Sequence, residues 1–264
     1  MSHALASTAN TGPELPTKPQ RAKLAFCRKA LCLLTLSCLA ACSDLGPGAD
    51  YYYPIDELHD GVVYAYQPVG DAPFPPYYWY YRAVETPDST MLAGTFYSQD
   101  FEPLQFTNER ITPTGSLRRS LRMYTPTDTA STQVVAEILA PNLFSFEQPN
   151  QARRLTSAMR WTQPAAVDTL MPVIYTVTHQ RRYLQDTTLE LDGESYPAQA
   201  WRVDEVIEHD SIGVLELESQ ALEIYAEGIG LAYRQRVYSD GTLEAYRLAA
   251  RFPMDTLEAI ARRQ

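Results

Sequence analysis

Glu205, Glu208, His209 and Asp210 form the densest run of proton-carrying groups in the chain. Carboxylates and imidazoles are the usual general acids, general bases and metal ligands. The residues before them alternate apolar and polar, as a strand does, and successive side chains of a strand point to opposite faces. Glu208 and Asp210 therefore face away from His209, and the run reads as a solvated strand end. His59 and His179 are the other histidines beyond residue 41. A hydrolase would need Glu205 or Glu208 to converge with His179 from elsewhere in the fold. No G-x-S-x-G is present. Gly228-Ile229-Gly230 lacks the third glycine and the lysine of a phosphate loop, so it reads as a turn or bulge. No catalytic residue, metal or cofactor is expected, and the chain reads as a non-enzyme.

The other concentration of chemistry is aromatic. Nine of the 18 tyrosines lie between Tyr51 and Tyr81, in the groups Tyr51-Tyr52-Tyr53 and Tyr77-Tyr78-Trp79-Tyr80-Tyr81. On a strand, Tyr77, Trp79 and Tyr81 share one face, where they would wall an apolar pocket or pack across strands. Tyr78 and Tyr80 take the opposite face. Arg118, Arg119, Arg122 and Arg181-Arg182 are the basic concentrations on the strands, and they read as partners of the abundant carboxylates on a solvated face.

The elements that must position these residues are strands. Turn signals recur every 8 to 15 residues, and the segments between them are rich in Tyr, Val, Thr and Ile with period-two alternation. The clearest strands are 62–67, 77–84, 116–124, 132–140, 170–183, 187–191, 196–208, 212–218, 221–226, 231–238 and 242–251. Asp192-Gly193 and Ser239-Asp240-Gly241 supply residues that tolerate positive φ, which predicts two hairpins. Helical spacing occurs in 253–263, with Met254, Leu257 and Ile260 on one side. The expected fold is all-β: one large curved antiparallel sheet or open barrel over 51–264 with a short C-terminal helix, a subdivision near Pro164 being the alternative.

All four cysteines, Cys27, Cys32, Cys38 and Cys42, precede residue 43, so the folded body has no disulfide framework and no cysteine metal site. They sit in a segment where Lys18, Arg21, Lys23, Arg28 and Lys29 lead into an apolar run from Ala30 to Ala41. That run is shorter than the ~20 residues a membrane-spanning helix needs and has the organisation of a secretory signal. Leu39-Ala40-Ala41-Cys42 resembles the lipobox of bacterial lipoproteins. The resemblance implies cleavage before Cys42, acylation of its thiol and, with Ser43 following, sorting to the outer membrane. Residues 1–41 are then a signal peptide, and 42–50, small and polar, a lipidated tether.

The chain carries 22 basic and 32 acidic side chains. Loss of residues 1–41 removes five bases and one acid, leaving a body of net charge −14 whose 17 bases are all arginine. Such a body does not suit nucleic acid, where neutralising phosphates supplies much of the affinity. The stretch from Glu223 to Arg234, preceded by Gly193-Glu194-Ser195-Tyr196-Pro197-Ala198, resembles the end of uncharacterised lipoproteins of Bacteroidota. The likeness implies an architecture similar to the half-barrels of lipoprotein carriers, whose concave face holds acyl chains. The resulting expectation is an envelope binding module for an apolar or amphipathic ligand or an envelope partner, with Tyr77, Trp79 and Tyr81 as the ligand face. A structural subunit of an envelope complex is the alternative, and a hydrolase the third.

Overall fold

The computed structural model describes residues 45–70, 73–126, 131–163, 172–210 and 214–263. The expected signal peptide and Cys42 lie outside them. Twelve antiparallel strands follow one another around a closed barrel. They are β1 (Val62–Pro68), β2 (Tyr77–Thr86), β3 (Ser89–Tyr97), β4 (Pro103–Thr112), β5 (Gly115–Pro126) and β6 (Ser131–Ser145), then β7 (Arg154–Gln163), β8 (Val173–Leu191), β9 (Glu194–Asp210), β10 (Val214–Ala226), β11 (Gly230–Tyr238) and β12 (Leu243–Phe252). The all-β antiparallel reading holds, and the sheet closes completely, because β1 pairs with β12 from Val63 opposite Phe252 to Pro68 opposite Tyr246. β7 and β8 pair along the whole of β7, so the barrel continues across Pro164, which itself lies outside the described residues.

Both expected hairpins form. Asp192 (φ 51°) and Gly193 (φ 83°) make the two-residue turn between Leu191 and Glu194, a geometry whose left-handed positions favour Asp and Gly. Gly241 (φ 84°) turns β11 into β12. From Val173 onward, the segments read as 170–183 and 187–191 are one long strand, β8, whose register shifts between Tyr183 and Gln185; residues 170 and 171 lie outside the described residues. A bulge adds a residue without ending the pairing, so it interrupts the alternation that sequence reading relies on.

The alternation divides the apolar residues between two sides of the wall. Tyr64, Tyr66, Tyr81, Leu92, Trp201 and Tyr246 point inward. Val63, Ala65 and Tyr78 point outward and are covered by Leu257 of helix α1 (Met254–Ala261), which packs on the outside of β1 and β2. The helix expected from the spacing of Met254 and Leu257 therefore closes an apolar patch that β1 would otherwise expose.

Residues 46–58 plug one end of the barrel through two short 3-10 turns, Pro47–Tyr51 and Ile55–Leu58. Gly46 N–H donates to Pro113 O (3.0 Å), Gly48 N–H to Phe146 O (2.8 Å), and Gly228 N–H to Asp50 O (2.8 Å). The tether expected over 42–50 is thus docked from Gly46 onward. A Cβ on Gly46 would lie 2.3 Å from Phe146 O, and one on Gly48 2.8 Å from Ser145 O. These glycines serve close backbone approach rather than flexibility. Tyr52, Tyr53 and Leu58 follow them into the core.

Candidate functional site

Beyond the plug the barrel encloses a cavity of about 690 Å³, which reaches from Tyr52 and Tyr53 to the loops carrying Pro76 and Ser98. Its size falls within the range of small-molecule pockets, about 300–1,000 Å³. Among the described residues, those that form its wall come from nearly every strand.

One side is aromatic. Tyr77, Trp79 and Tyr81 of β2 all line it, as the period of two requires. Tyr77 stacks on Tyr66 (4.9 Å between centroids) and meets Tyr246 edge-on (4.6 Å). Trp79 lies between Tyr81 (5.4 Å, stacked) and Phe96 (5.4 Å). Tyr81 is buried against the plug, where its hydroxyl is 2.9 Å from that of Tyr53. Tyr77 and Trp79 are only half-buried. The three residues thus share one wall but divide the work: Tyr81 belongs to the packed end, while Tyr77 and Trp79 present surface to the cavity.

The floor and far wall are charged. Glu109 accepts from the Tyr52 hydroxyl, from Ser116 Oγ (2.7 Å) and from Arg118 Nη2 (3.4 Å). Glu205 accepts from His179 Nε2 (2.5 Å), Ser219 Oγ (3.0 Å) and Arg236 Nη2 (3.1 Å). Glu223 accepts two hydrogen bonds from Arg181 (2.9 and 3.3 Å) and one from Tyr225 (3.0 Å), with Arg234 Nε 3.8 Å away. Each carboxylate is at most 6% exposed. Unpaired, such groups would be costly, and here each is satisfied by cations and hydroxyls together.

Burial pulls the Glu205 carboxyl upward, but the His179 hydrogen bond and the Arg236 charge outweigh it and hold it at about 2. At Glu223 burial is likewise overcome, by Arg181 and Arg234, and the group is held at about 2. Both are firmly ionised at neutral pH. Burial pushes the His179 imidazole below its usual value, against the pull of Glu205, so the ring is neutral and its Nε2–H donates. That proton position is consistent with an acceptor-only carboxylate opposite it.

The structure corrects several sequence expectations. Glu205 is not at a solvated end; it shares the inward face of β9 with Trp201, Val203 and Ile207, and it meets His179 across the β8–β9 pair. Arg118 and Arg181 point into the barrel, whereas Arg122 is exposed. The extra residue of a bulge in β5, Arg119, allows both Arg118 and Leu121 to face inward. Glu208 and Asp210 do face away from His209, which packs edge-on against Tyr175 at 4.8 Å. Among the described residues no group of three or more His, Cys, Asp or Glu is arranged to hold a metal ion. Glu109, Glu223, Arg234 and Arg236 belong to the site although no motif in the sequence marks them. Their signal is a single charge within an otherwise apolar series of alternate positions, as in Ala221, Glu223 and Tyr225 of β10.

No protein-family model and no curated protein matches the sequence. Among solved structures, the fold is similar to that of a putative lipoprotein from Parabacteroides distasonis (8% identity, TM-score 0.48). It is also similar to a putative exported protein with YmcC-like fold from Bacteroides fragilis (14% identity, TM-score 0.49). Each likeness covers 76% of this chain and 98% of the other.

Proposed function

We propose that this barrel is a non-catalytic binding module that holds an amphipathic small molecule inside the wall, carried on the outer membrane by an acyl anchor at Cys42. The observation that carries the reading is the cavity itself: about 690 Å³, with half-buried Tyr77 and Trp79 on one side and an ordered layer of charges on the other. An aromatic wall with a few convergent polar groups is how proteins orient a small ligand. The His179–Glu205 pair does not favour hydrolysis. Glu205 is held too acidic to take a proton at neutral pH, and among the described residues no hydroxyl or thiol is hydrogen-bonded to His179. The anchor rests on the lipobox resemblance of Leu39-Ala40-Ala41-Cys42.

Native mass spectrometry of the full chain, followed by extraction and analysis of any released molecule, tests the binding. An amphiphile is expected in the wild type and is expected to be depleted in Trp79→Ala, which removes the half-buried ring while leaving the plugged end intact. A wild-type protein that neither retains nor takes up any amphiphile would sink the reading. For the anchor, Cys42→Ala is expected to abolish labelling by radioactive palmitate and to move the protein from the membrane to the soluble fraction. Unchanged labelling would rule it out.

A further inference from the structure

Four arginines line the cavity: Arg118, Arg181, Arg234 and Arg236. Three of them are committed to carboxylates by hydrogen bonds: Arg118 to Glu109, Arg181 to Glu223 by two bonds, and Arg236 to Glu205. Arg234 is different. Among the described residues, Glu223 is the one carboxylate within 4 Å of it, at 3.8 Å, and is already occupied by Arg181 and Tyr225; the charge of Arg234 also reaches Glu205. The Arg234 side chain is 31% exposed, more than those of Arg118, Arg181 and Arg236, and its Nε, like those of Arg118 and Arg236, is buried without a hydrogen-bond partner.

A guanidinium carries five donors in a rigid fork, and leaving a buried donor unmade costs free energy. In this barrel the fold places such a fork on the cavity wall. A bulge in the β10–β11 pairing, between Ile224 and Tyr225, puts both Leu231 and Arg234 on the lining. In register, Arg234 lies opposite Tyr246 on β12 and Glu223 on β10. Of the other carboxylates lining the cavity, Glu244 accepts from Tyr238 and lies opposite Arg236 in register, not opposite Arg234, and Asp100 belongs to the loop between β3 and β4.

We infer that Arg234 is the headgroup ligand of the cavity, and that the molecule bound is an anionic amphiphile whose carboxylate or phosphate sits on this guanidinium while its apolar chain lies along Tyr77, Trp79 and Phe96. The inference rests on the binding reading above and makes it specific: oxyanions match the planar fork through two parallel hydrogen bonds, which neutral and cationic heads cannot do. The chain then follows the half-buried rings toward Phe96, while the far wall offers the apolar side chains of Val177 and Ile207.

The test uses the full chain made by cell-free synthesis without membranes, so that neither acyl anchor nor detergent is present. Binding of dodecanoate, dodecyl phosphate and 1-dodecanol is measured by calorimetry. Both anions are expected to bind at least about tenfold more tightly than the alcohol. Arg234→Gln should bring the anions down to the affinity of the alcohol and leave the alcohol unchanged. Arg234→Lys, which keeps the charge but not the fork, should fall between, and it stands in if the glutamine variant does not fold. A preference for one anion over the other identifies the headgroup source. Equal binding of anions and alcohol would overturn this inference and leave the binding reading standing. An anion preference that survives Arg234→Gln would overturn the assignment to Arg234. Failure of all three probes to bind would overturn both.

Discussion

Glu223→Gln is expected to cost about 3–5 kcal/mol of folding stability, because breaking a buried pair leaves its partner's charge uncompensated. The loss would be a large fraction of the roughly 5–15 kcal/mol by which domains are stable. Glu223 is 3% exposed and receives Arg181 through two hydrogen bonds, with Arg234 3.8 Å away on the other side. Neutralising it leaves two guanidinium groups facing each other with no anion between them. The converse substitution is not equivalent. In Arg181→Met, Arg234 is already within reach of the abandoned carboxylate, and Tyr225 still donates to it. Urea denaturation should therefore rank Glu223→Gln as clearly more damaging than Arg181→Met. Equal losses, or the opposite order, would show that Arg234 does not share in holding Glu223.

The second large effect is acid sensitivity. Glu205 and Glu223 are held at about 2 in the folded barrel, below the ordinary carboxylate value that they regain on unfolding. A depressed carboxyl stabilises the fold fully above the unfolded value, and that stabilisation fades as pH falls toward the folded one. Each group thus contributes about 3 kcal/mol at neutral pH, lost between roughly pH 4.5 and 2. His179 acts in the same direction at a higher pH. It is neutral when folded and takes a proton when unfolded, so acidification below its ordinary value of about 6.5 favours the unfolded chain. Unfolding free energies measured from pH 7 down to pH 3 should fall progressively, and the decline should be shallower in Glu205→Gln. A flat profile between pH 5 and pH 3 would contradict the burial and pairing described for these groups.

How legible these features were in the sequence depended on which side of the wall carried apolar residues. β2 is readable because a run of aromatic residues favours a strand, and a period of two then puts Tyr77, Trp79 and Tyr81 on one face, where all three line the cavity. β4 is not, because its inward residues include Gln105, Thr107 and Glu109, so the usual apolar-in, polar-out contrast is missing. β3 is hard to read although Leu92 and Phe96 face inward, since Gly94 between them breaks the run of large side chains. That glycine lies under Tyr81 and Thr107, close enough that a Cβ would fall 2.6 Å from the Thr107 hydroxyl. The charged interior was the least visible part. A glutamate on a strand is a surface residue unless its partners are known, and Arg181 lies 42 positions from Glu223. A period of two puts Glu205 on the face of Trp201 and Val203. What it lacks is the register of β8, which brings His179 opposite Glu205.

Closure of the barrel by β1 and β12 has a kinetic side. The strand that begins at Val62 can find its partner only once Leu243–Phe252 is in place. Every other pairing in the wall joins neighbours in sequence and can form by local hairpin closure, whereas this one must bring the two ends of the sheet together. Until it does, β1 and β12 are unprotected edges, and the outward residues Val63 and Ala65 lack the cover of Leu257, which arrives with the same final segment. Closing the seam is thus expected to be the slow step of folding and the interval in which the chain is most exposed to pairing with copies of itself.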